Sequence, residues 1–364
     1  MKIKELLTHL EQKYPLYLQE DFDNCGMQCG DKELEISGVL VCFDTSLEVL
    51  EEAKQKGANL IISHHPLIFS GLKKIEPTGR VGRIICKAIE NKQVIYAMHT
   101  NMDSASGGGN DLFAEKLGLV DCKVLCPKES LFQKVIFFIP ENESANLKNE
   151  LFAIGCGNIG DYDYCSYRMM GEGSFRPKAG ANPHIGELNT VEFVEEERVE
   201  MIFPATIQRK VIETIYKYHP YEEPAFDIIK LENKLLNAGL GRVGFLPAEM
   251  NAVEFLEYVK EKMSVKNIKY SGDRDKKIRK VAVCGGGGGS LIQAALNSGA
   301  DAYVTGDIKY HDFYIPEERM MIADIGHFEG EHFIREIIYN EIKGNFTTFA
   351  TSLSEVEKLK IYNI

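Results

Sequence analysis

Ile61-Ile62-Ser63-His64-His65-Pro66-Leu67-Ile68-Phe69 is the stretch on which the reading of this chain turns. The apolar run from Leu60 to Ile62 has the length of a buried core strand. Pro66 cannot extend a sheet ladder, and it pushes His65 toward an extended or turn conformation. The two histidines therefore stand where a strand leaves its sheet. Neighbours on a regular strand point to opposite faces. At a strand exit the backbone can turn, so both imidazoles can face one cavity and serve two different metal ions. On this stretch alone, two histidines capping a strand against backbone carbonyls is the simpler reading. The rest of the chain reverses it.

Working outward, Ile36 to Phe43 reads as a strand and Ser46 to Lys56 as a helix closed by Gly57. After the His64-His65 strand come a helix from Gly82 to Asn91 and a strand from Gln93 to Met98. This alternation predicts a mostly parallel sheet with helices on both faces. The third strand ends in His99-Thr100-Asn101-Met102-Asp103. Ligand sites in such sheets gather at the carboxyl ends of strands, so His64, His65, His99 and Asp103 converge on one edge. Met1 to about Leu18 reads as an amphipathic helix. It is followed by the turn-forming loop Asp23-Asn24-Cys25-Gly26-Met27-Gln28.

The pattern changes near 123–134. Strand-like Val135 to Ile139, a helix from about Glu143 to Phe152, strand-like Thr190 to Ile202, a helix from Ile207 to Tyr218 and a strand to about Leu231 fit a ferredoxin-like module. The glutamate run Glu195 to Glu197 reads as a solvated strand face or edge. The first pattern returns after Gly239 to Gly244. The expected organisation is a discontinuous α/β domain, 1–126 and 238–364, with an inserted α+β domain at 127–237. In the final part, Ile278 to Cys284, Ala302 to Thr305 and Met320 to Asp324 read as strands. Gly326-His327-Phe328-Glu329-Gly330-Glu331 opens a helix running to about Glu341.

His327 and Glu331 share a face at four-residue spacing. With His64, His65 and Asp103 they make three imidazoles and two carboxylates. Such a set suits two divalent ions with one carboxylate bridging. Mixed N/O ligation suits Zn²⁺, with Mn²⁺ or Fe²⁺ as alternatives, better than Mg²⁺ or Ca²⁺. Gly107 to Gly109 could offer backbone N–H groups to an anion or form a flexible turn, and Gly285 to Gly289 allow close backbone approach to a ligand or a tight turn.

Composition narrows the function further. The 364 residues carry 54 acidic against 42 basic side chains, a net charge of −12, which argues against a nucleic-acid or membrane-surface binder. No apolar run approaches the roughly 20 residues that span a bilayer, and the N-terminus has no signal-peptide core. Nine cysteines, with Cys25/Cys29 and Cys122/Cys126 at CxxxC spacing, read as free thiols of a cytoplasmic protein.

Together the motifs Asp23 to Gln28, Ser63-His64-His65-Pro66, His99 to Asp103, Thr305-Gly306-Asp307-Ile308-Lys309-Tyr310-His311 and Gly326 to Glu331 resemble the GTP cyclohydrolase I type 2 homologue (Nif-three-like) family, over nearly the whole chain. The insert resembles the CutA/PII-like module of longer bacterial members in Gly155 to Tyr162, Gly171 to Pro177 and His219 to Pro224. Phe22 stands where many members carry Trp. The resemblance implies a dinuclear metal site on His64, His65, Asp103, His327 and Glu331, with Glu331 as the bridge, and a ring-like homohexamer. It implies a small-molecule substrate, in the family's name GTP, opened at C8 of the guanine ring with release of formate. His99 or His311 would then move protons, and Lys309 would meet a phosphate. A phosphoesterase or amidohydrolase could use the same two metals. A non-catalytic metal-binding regulator or metal-delivery protein would carry the same ligands.

Overall fold

The computed structural model describes residues 1–129, 131–160 and 162–357. Asp161, inside the Gly155 to Tyr162 stretch, lies outside the described residues. The chain divides into two compact units, Met1–Lys128 with Leu236–Ile364, and Glu129–Leu235.

Helix α1 (Ile3–Lys13) buries Ile3, Leu6, Leu7 and Leu10 along one stripe. It stops short of the expected Leu18 because Pro15 cannot continue it, and Leu16–Leu18 forms a separate 3₁₀ turn. Strands β1 (Gly26–Cys29) and β2 (Gly38–Cys42) follow. In α2 (Leu47–Gln55) the Ser46 hydroxyl caps the N-terminus, and Gly57 ends it at φ +69°. Then come β3 (Leu60–Ser63), α3 (Arg80–Glu90), β4 (Val94–Ala97), the short helices α4 (Thr100–Ser104) and α5 (Gly109–Lys116), and β5 (Val120–Lys128). The smaller unit contains β6 (Phe132–Pro140), α6 (Ser144–Ala153), β7 (Tyr167–Phe175), β8 (Glu192–Pro204), α7 (Gln208–Tyr218) and β9 (Phe226–Lys230). The chain returns through β10 (Leu235–Asn251), α8 (Ala252–Met263), β11 (Lys269–Ser271), β12 (Lys277–Gly287), α9 (Ile292–Asn297), β13 (Ala302–Gly306), β14 (Met321–Asp324), α10 (Ile334–Asn345) and β15 (Ala350–Leu353).

The larger unit is a mixed α/β structure with two sheets, where one mostly parallel sheet was expected. The first has the order β1-β4-β3-β2-β15 and is parallel except at β1. The second has the order β11-β14-β13-β12-β10-β5, with a parallel centre and antiparallel β11 and β10. Each half of the chain lends one strand to the other half's sheet. β15 lies beside β2, and β5 lies beside β10. Strands β2, β3, β4, β13 and β14 are buried along their length, as expected when both faces of a parallel sheet are covered.

A second correction concerns the last ligand pair. His327 and Glu331 do not lie on α10, which begins only at Ile334. They sit on consecutive turns in which Gly330 N donates to Gly326 O (3.2 Å) and His332 N to Phe328 O (2.9 Å). These turns keep the four-residue spacing of a helix, so the pair still shares one side.

The smaller unit has the sheet order β7-β8-β6-β9, antiparallel throughout, in β-α-β-β-α-β connectivity. Val135, Phe137, Ile139 and Val199 pack with Leu147, Leu151, Val211 and Ile215 of the two helices. Here the glutamate run departs from expectation. β8 is an inner strand, and Glu197 is fully buried. Its carboxylate accepts from Ser144 Oγ at 2.7 Å and Lys148 Nζ at 3.2 Å, and it also pairs with Arg168. Donors from α6 and β7 replace the water that a charged run would otherwise need. Replacing Glu197 with Ala should leave Lys148 and Ser144 without their acceptor and cost about 2 kcal/mol. The urea midpoint of the full-length protein, followed by circular dichroism, measures the loss.

Candidate metal centre

β3 leaves its sheet at Ser63, but pairing with the β2 side continues briefly. His64 N donates to Cys42 O (3.2 Å) and His65 N to Phe43 O (3.1 Å). The Ser63 hydroxyl donates to His65 O at 2.8 Å, which turns the chain. Both rings end on one side, with centroids 5.0 Å apart. Phe43 stacks on His64 at 5.6 Å and tilts against His65 at 4.5 Å.

Each of three imidazoles is oriented through Nδ1. His64 Nδ1 donates to Met98 O at 2.8 Å, His65 Nδ1 to Asp44 Oδ1 at 3.1 Å, and His327 Nδ1 to Asp307 Oδ2 at 2.7 Å. The carbonyl cap is thus real for His64, but it occupies only one nitrogen. All three Nε2 atoms turn toward Glu331. His64 Nε2 is 3.4 Å from Glu331 Oε1, while His327 Nε2 and His65 Nε2 are 3.0 and 3.4 Å from Oε2. Asp103 Oδ2 is 4.0 Å from His64 Nε2. The structure therefore brings together all five expected ligands, in two groups that share Glu331.

Glycines make the room. A Cβ on Gly286, which holds φ +61°, would stand 2.3 Å from Glu331 Oε1, and one on Gly109 would stand 2.9 Å from Asp103 Oδ1. The two glycine-rich loops spend several of their N–H groups inside the fold. Gly107 N donates to Asp111, Gly285 N to Asn110 Oδ1 and Gly288 N to Thr305 Oγ1. Their use is close approach of backbone to carboxylate.

His99 joins the cluster, with a ring nitrogen within 4.8 Å of those of His64 and His65. Its Nδ1 donates to Asp23 Oδ1 at 2.8 Å, and Thr100 N donates to the other Asp23 oxygen at 3.0 Å. Lys309 and His311 are exposed, and neither belongs to the cluster. The sequence pattern assigned no role to Asp44, Asp307 or Asn110. The first two follow the ends of buried strands β2 and β13, the same signal that marked the histidines.

The electrostatics favour positive charge within the cluster. Burial opposes charge on His65, but Asp44 and Glu331 outweigh it and raise the ring to about 10. Glu331 raises His327 to about 9 against the effect of burial, with help from Asp307. Burial and the neighbouring Glu331 charge push Asp103 up to about 8. Burial works against the Glu331 carboxylate too, yet His64, His327 and His65 hold it well below the usual range. His64 Nε2 and Asp103 Oδ1 are buried without a hydrogen-bond partner among the described residues. Such orphaned atoms are costly. With Nδ1–H committed to Asp44 and Asp307, His65 Nε2 and His327 Nε2 stand 3.2 Å apart. As neutral rings they would turn two lone pairs into one space, which protons shared with Glu331 or a bound cation would relieve. Donors about 2.0–2.1 Å from a tetrahedral metal stand about 3.3–3.4 Å apart. The 3.0–3.4 Å separations around Glu331 fit that geometry, so the residues suit a divalent ion.

An α/β protein whose sheet edges deliver histidines and carboxylates into one buried cluster carries a candidate metal centre. Sequence comparison places it further. Residues 1–360 match the family model Duf34/NIF3 (NGG1p interacting factor 3), and the chain belongs to that family. A protein of Halalkalibacterium halodurans named GTP cyclohydrolase 1 type 2 homolog is 41% identical over 87% of this chain and 86% of its own. A Bacillus subtilis protein of the same name is 39% identical, covering 89% and 88%. The crystal structure of a Bacillus cereus protein related to NIF3 superposes with a TM-score of 0.75 at 38% identity, covering 100% of this chain and 99% of that one. No helix among the described residues is long and apolar enough to cross a membrane.

The raised His65 and His327 values set a pH dependence. Metal-free protein holds these protons more tightly folded than unfolded. Their contribution is full below about 6.5, the unfolded value, and is lost as pH rises through about 9 and about 10. A bound cation would replace the protons. The melting-temperature gap between metal-loaded and chelator-stripped protein should widen steadily from pH 6 to pH 10. A constant gap would show that these rings do not bind the ion.

Proposed function

We propose that the chain is a cytoplasmic metal-dependent hydrolase acting on a nucleotide or related small molecule through two divalent ions. The observation that carries this reading is the division of Glu331, whose Oε1 faces His64 while Oε2 faces His65 and His327. One carboxylate turned toward two donor groups has the disposition of a bridging ligand. His65, His327 and Oε2 would hold one ion, and His64, Asp103 and Oε1 the other. The imidazole–carboxylate set suits Zn²⁺, with Mn²⁺ or Fe²⁺ as alternatives.

When bound, such a pair of ions makes water a nucleophile near neutral pH and offsets charge developing on the group attacked. The chain's own residues supply orientation and proton movement. Asp44 and Asp307 fix the outer two imidazoles and raise their basicity. Asp23 fixes His99 through Nδ1, which leaves its other nitrogen to take or give a proton beside the cluster. Exposed Lys309, two residues beyond Asp307, is available to a substrate phosphate. The name carried by the relatives makes GTP the first substrate to try.

The same reading takes the Glu129–Leu235 unit as a CutA/PII-like module, on its connectivity and strand order, and the assembly as a homohexamer. The free thiols are compatible with a reducing compartment.

Elemental analysis of reconstituted protein should find two ions per chain. Glu331→Gln should weaken both sites, and His64→Ala mainly one. Metal-loaded protein screened against GTP, other nucleotides and esters should turn over at least one of them. His65→Ala should lower that turnover at least about a hundredfold without unfolding the chain. Two ions with no turnover across the screen would leave a metal-holding regulator or carrier.

A further inference from the structure

Two stretches set apart in the sequence take no part in the metal cluster. Gly171 to Pro177 runs through the end of β7, and His219 to Pro224 follows α7. Though distant in the chain, they line one cavity of about 520 Å³ within the smaller unit. A cavity of about 150 Å³ already accepts benzene, and small-molecule sites run from about 300 to 1,000 Å³.

The cavity wall is built with care. Phe138 of β6 and Glu196 of β8 reach it from the sheet. Both alternate with residues that face the helices, such as Phe137 and Glu197, so they belong to the opposite face. His219 Nε2 donates to Phe138 O at 2.8 Å, while its Nδ1 accepts from Tyr221 N at 3.1 Å. This is one neutral tautomer, used at both ends, and it ties Tyr221 to β6. The Tyr221 hydroxyl then donates to Glu196 Oε1 at 2.8 Å. Glu196 is only 9% exposed. A Cβ on Gly173 would stand 2.2 Å from its Oε2, so glycine keeps that oxygen's place open. Asn182 N donates to Glu222 at 2.9 Å, and His184 pairs with Glu143 at 2.8 Å. These bonds tie down the long β7–β8 connection that covers the cavity.

The lining changes character along its length. The Glu196 carboxylate on the wall accepts from Tyr221 through Oε1, and Oε2 can accept from a bound molecule. Phe175 and Tyr221, with ring centroids 5.9 Å apart, offer aromatic surface beside it. Arg176 and Lys178 also line the cavity and are exposed. A hydrocarbon would make no use of Glu196 Oε2, and a simple anion would leave the aromatic wall uncovered. We propose that this cavity binds a purine-sized heterocycle carrying an exocyclic amino group and an anionic tail, as in an amino-bearing nucleotide. The amino group donates to Glu196, the ring packs on Phe175 and Tyr221, and the phosphate meets Arg176 and Lys178. The site shares no residue with the metal cluster and does not depend on hydrolysis there.

Calorimetric titration of the full-length protein in EDTA, on the His65→Ala background, keeps the two sites separate. AMP and GMP carry the amino group, IMP lacks it, and adenosine lacks the phosphate. At least one of AMP and GMP should bind about tenfold or more tighter than IMP, and AMP likewise tighter than adenosine. The double variant Arg176→Ala, Lys178→Ala changes only exposed side chains. It should weaken nucleotide binding about tenfold and flatten its salt dependence. Glu196→Gln should erase the preference over IMP. The proposal fails if neither AMP nor GMP binds by about 1 mM, if IMP binds equally well, or if the Arg176/Lys178 variant binds unchanged.

Discussion

A single buried carboxylate organises the larger unit. Glu331 is 3% exposed, and both of its oxygens are faced by imidazole nitrogens. A carboxylate in that position costs several kcal/mol unless positive charge answers it, so its surroundings must be arranged around it. Gly286 accepts a left-handed backbone so that Oε1 has room. Asn110 links the two halves beside it, accepting from Gly285 N and donating to Asp103 O. Arg242, nearly fully buried, adds a second clasp, binding Asp111 and Ala105 O from the first half and Gly239 O and Gly241 O from its own.

The strand exchange explains why two distant pieces of chain can meet with such accuracy. With β5 in the second sheet and β15 in the first, neither half completes its sheet alone. The exits of β3 and β14 are thereby held at a fixed separation. His64 and His65 come from one, and His327 and Glu331 from the other. Side chains on strand ends inherit the rigidity of the sheet, which suits a site that must keep donors about 3 Å apart without their repelling one another.

The candidate ligands were legible in the sequence because histidine and acid at the end of an apolar run are out of keeping with the run itself. Their supports were less so. Asp44 follows a strand directly, but an acid before Thr-Ser also reads as ordinary turn chemistry. Asp307 needs φ +55° to reach His327, a conformation no residue pattern announced. The second sheet was hidden because β10 runs through the glycine-rich stretch Gly239 to Gly244, which reads as a boundary rather than a strand. The charge of Glu197 suggested solvent because its partners, Ser144 and Lys148, lie some fifty residues earlier on another element. In each case the missing information is tertiary. Local pattern says what a segment prefers, and only packing says what answers it.

The two donor groups around Glu331 are chemically unequal, and this bears on how the centre would work. His64 hydrogen-bonds to a neutral carbonyl and is fully buried, and Asp103 beside it is nearly so. His65 and His327 each hydrogen-bond to a carboxylate, and their side chains are 21% and 36% exposed. A carboxylate partner makes an imidazole a stronger donor to a cation, whereas burial makes a position hard to reach. On the proposed dinuclear reading, the inner position therefore has a structural character: enclosed, and shielded by Phe43. The outer position combines electron-rich ligands with access from solvent, and His99 lies beside the junction of the two with a nitrogen to spare. Substrate would approach from the His65–His327 side, and Glu331 would transmit to the inner site any change in charge at the outer one, because its two oxygens belong to one delocalised group.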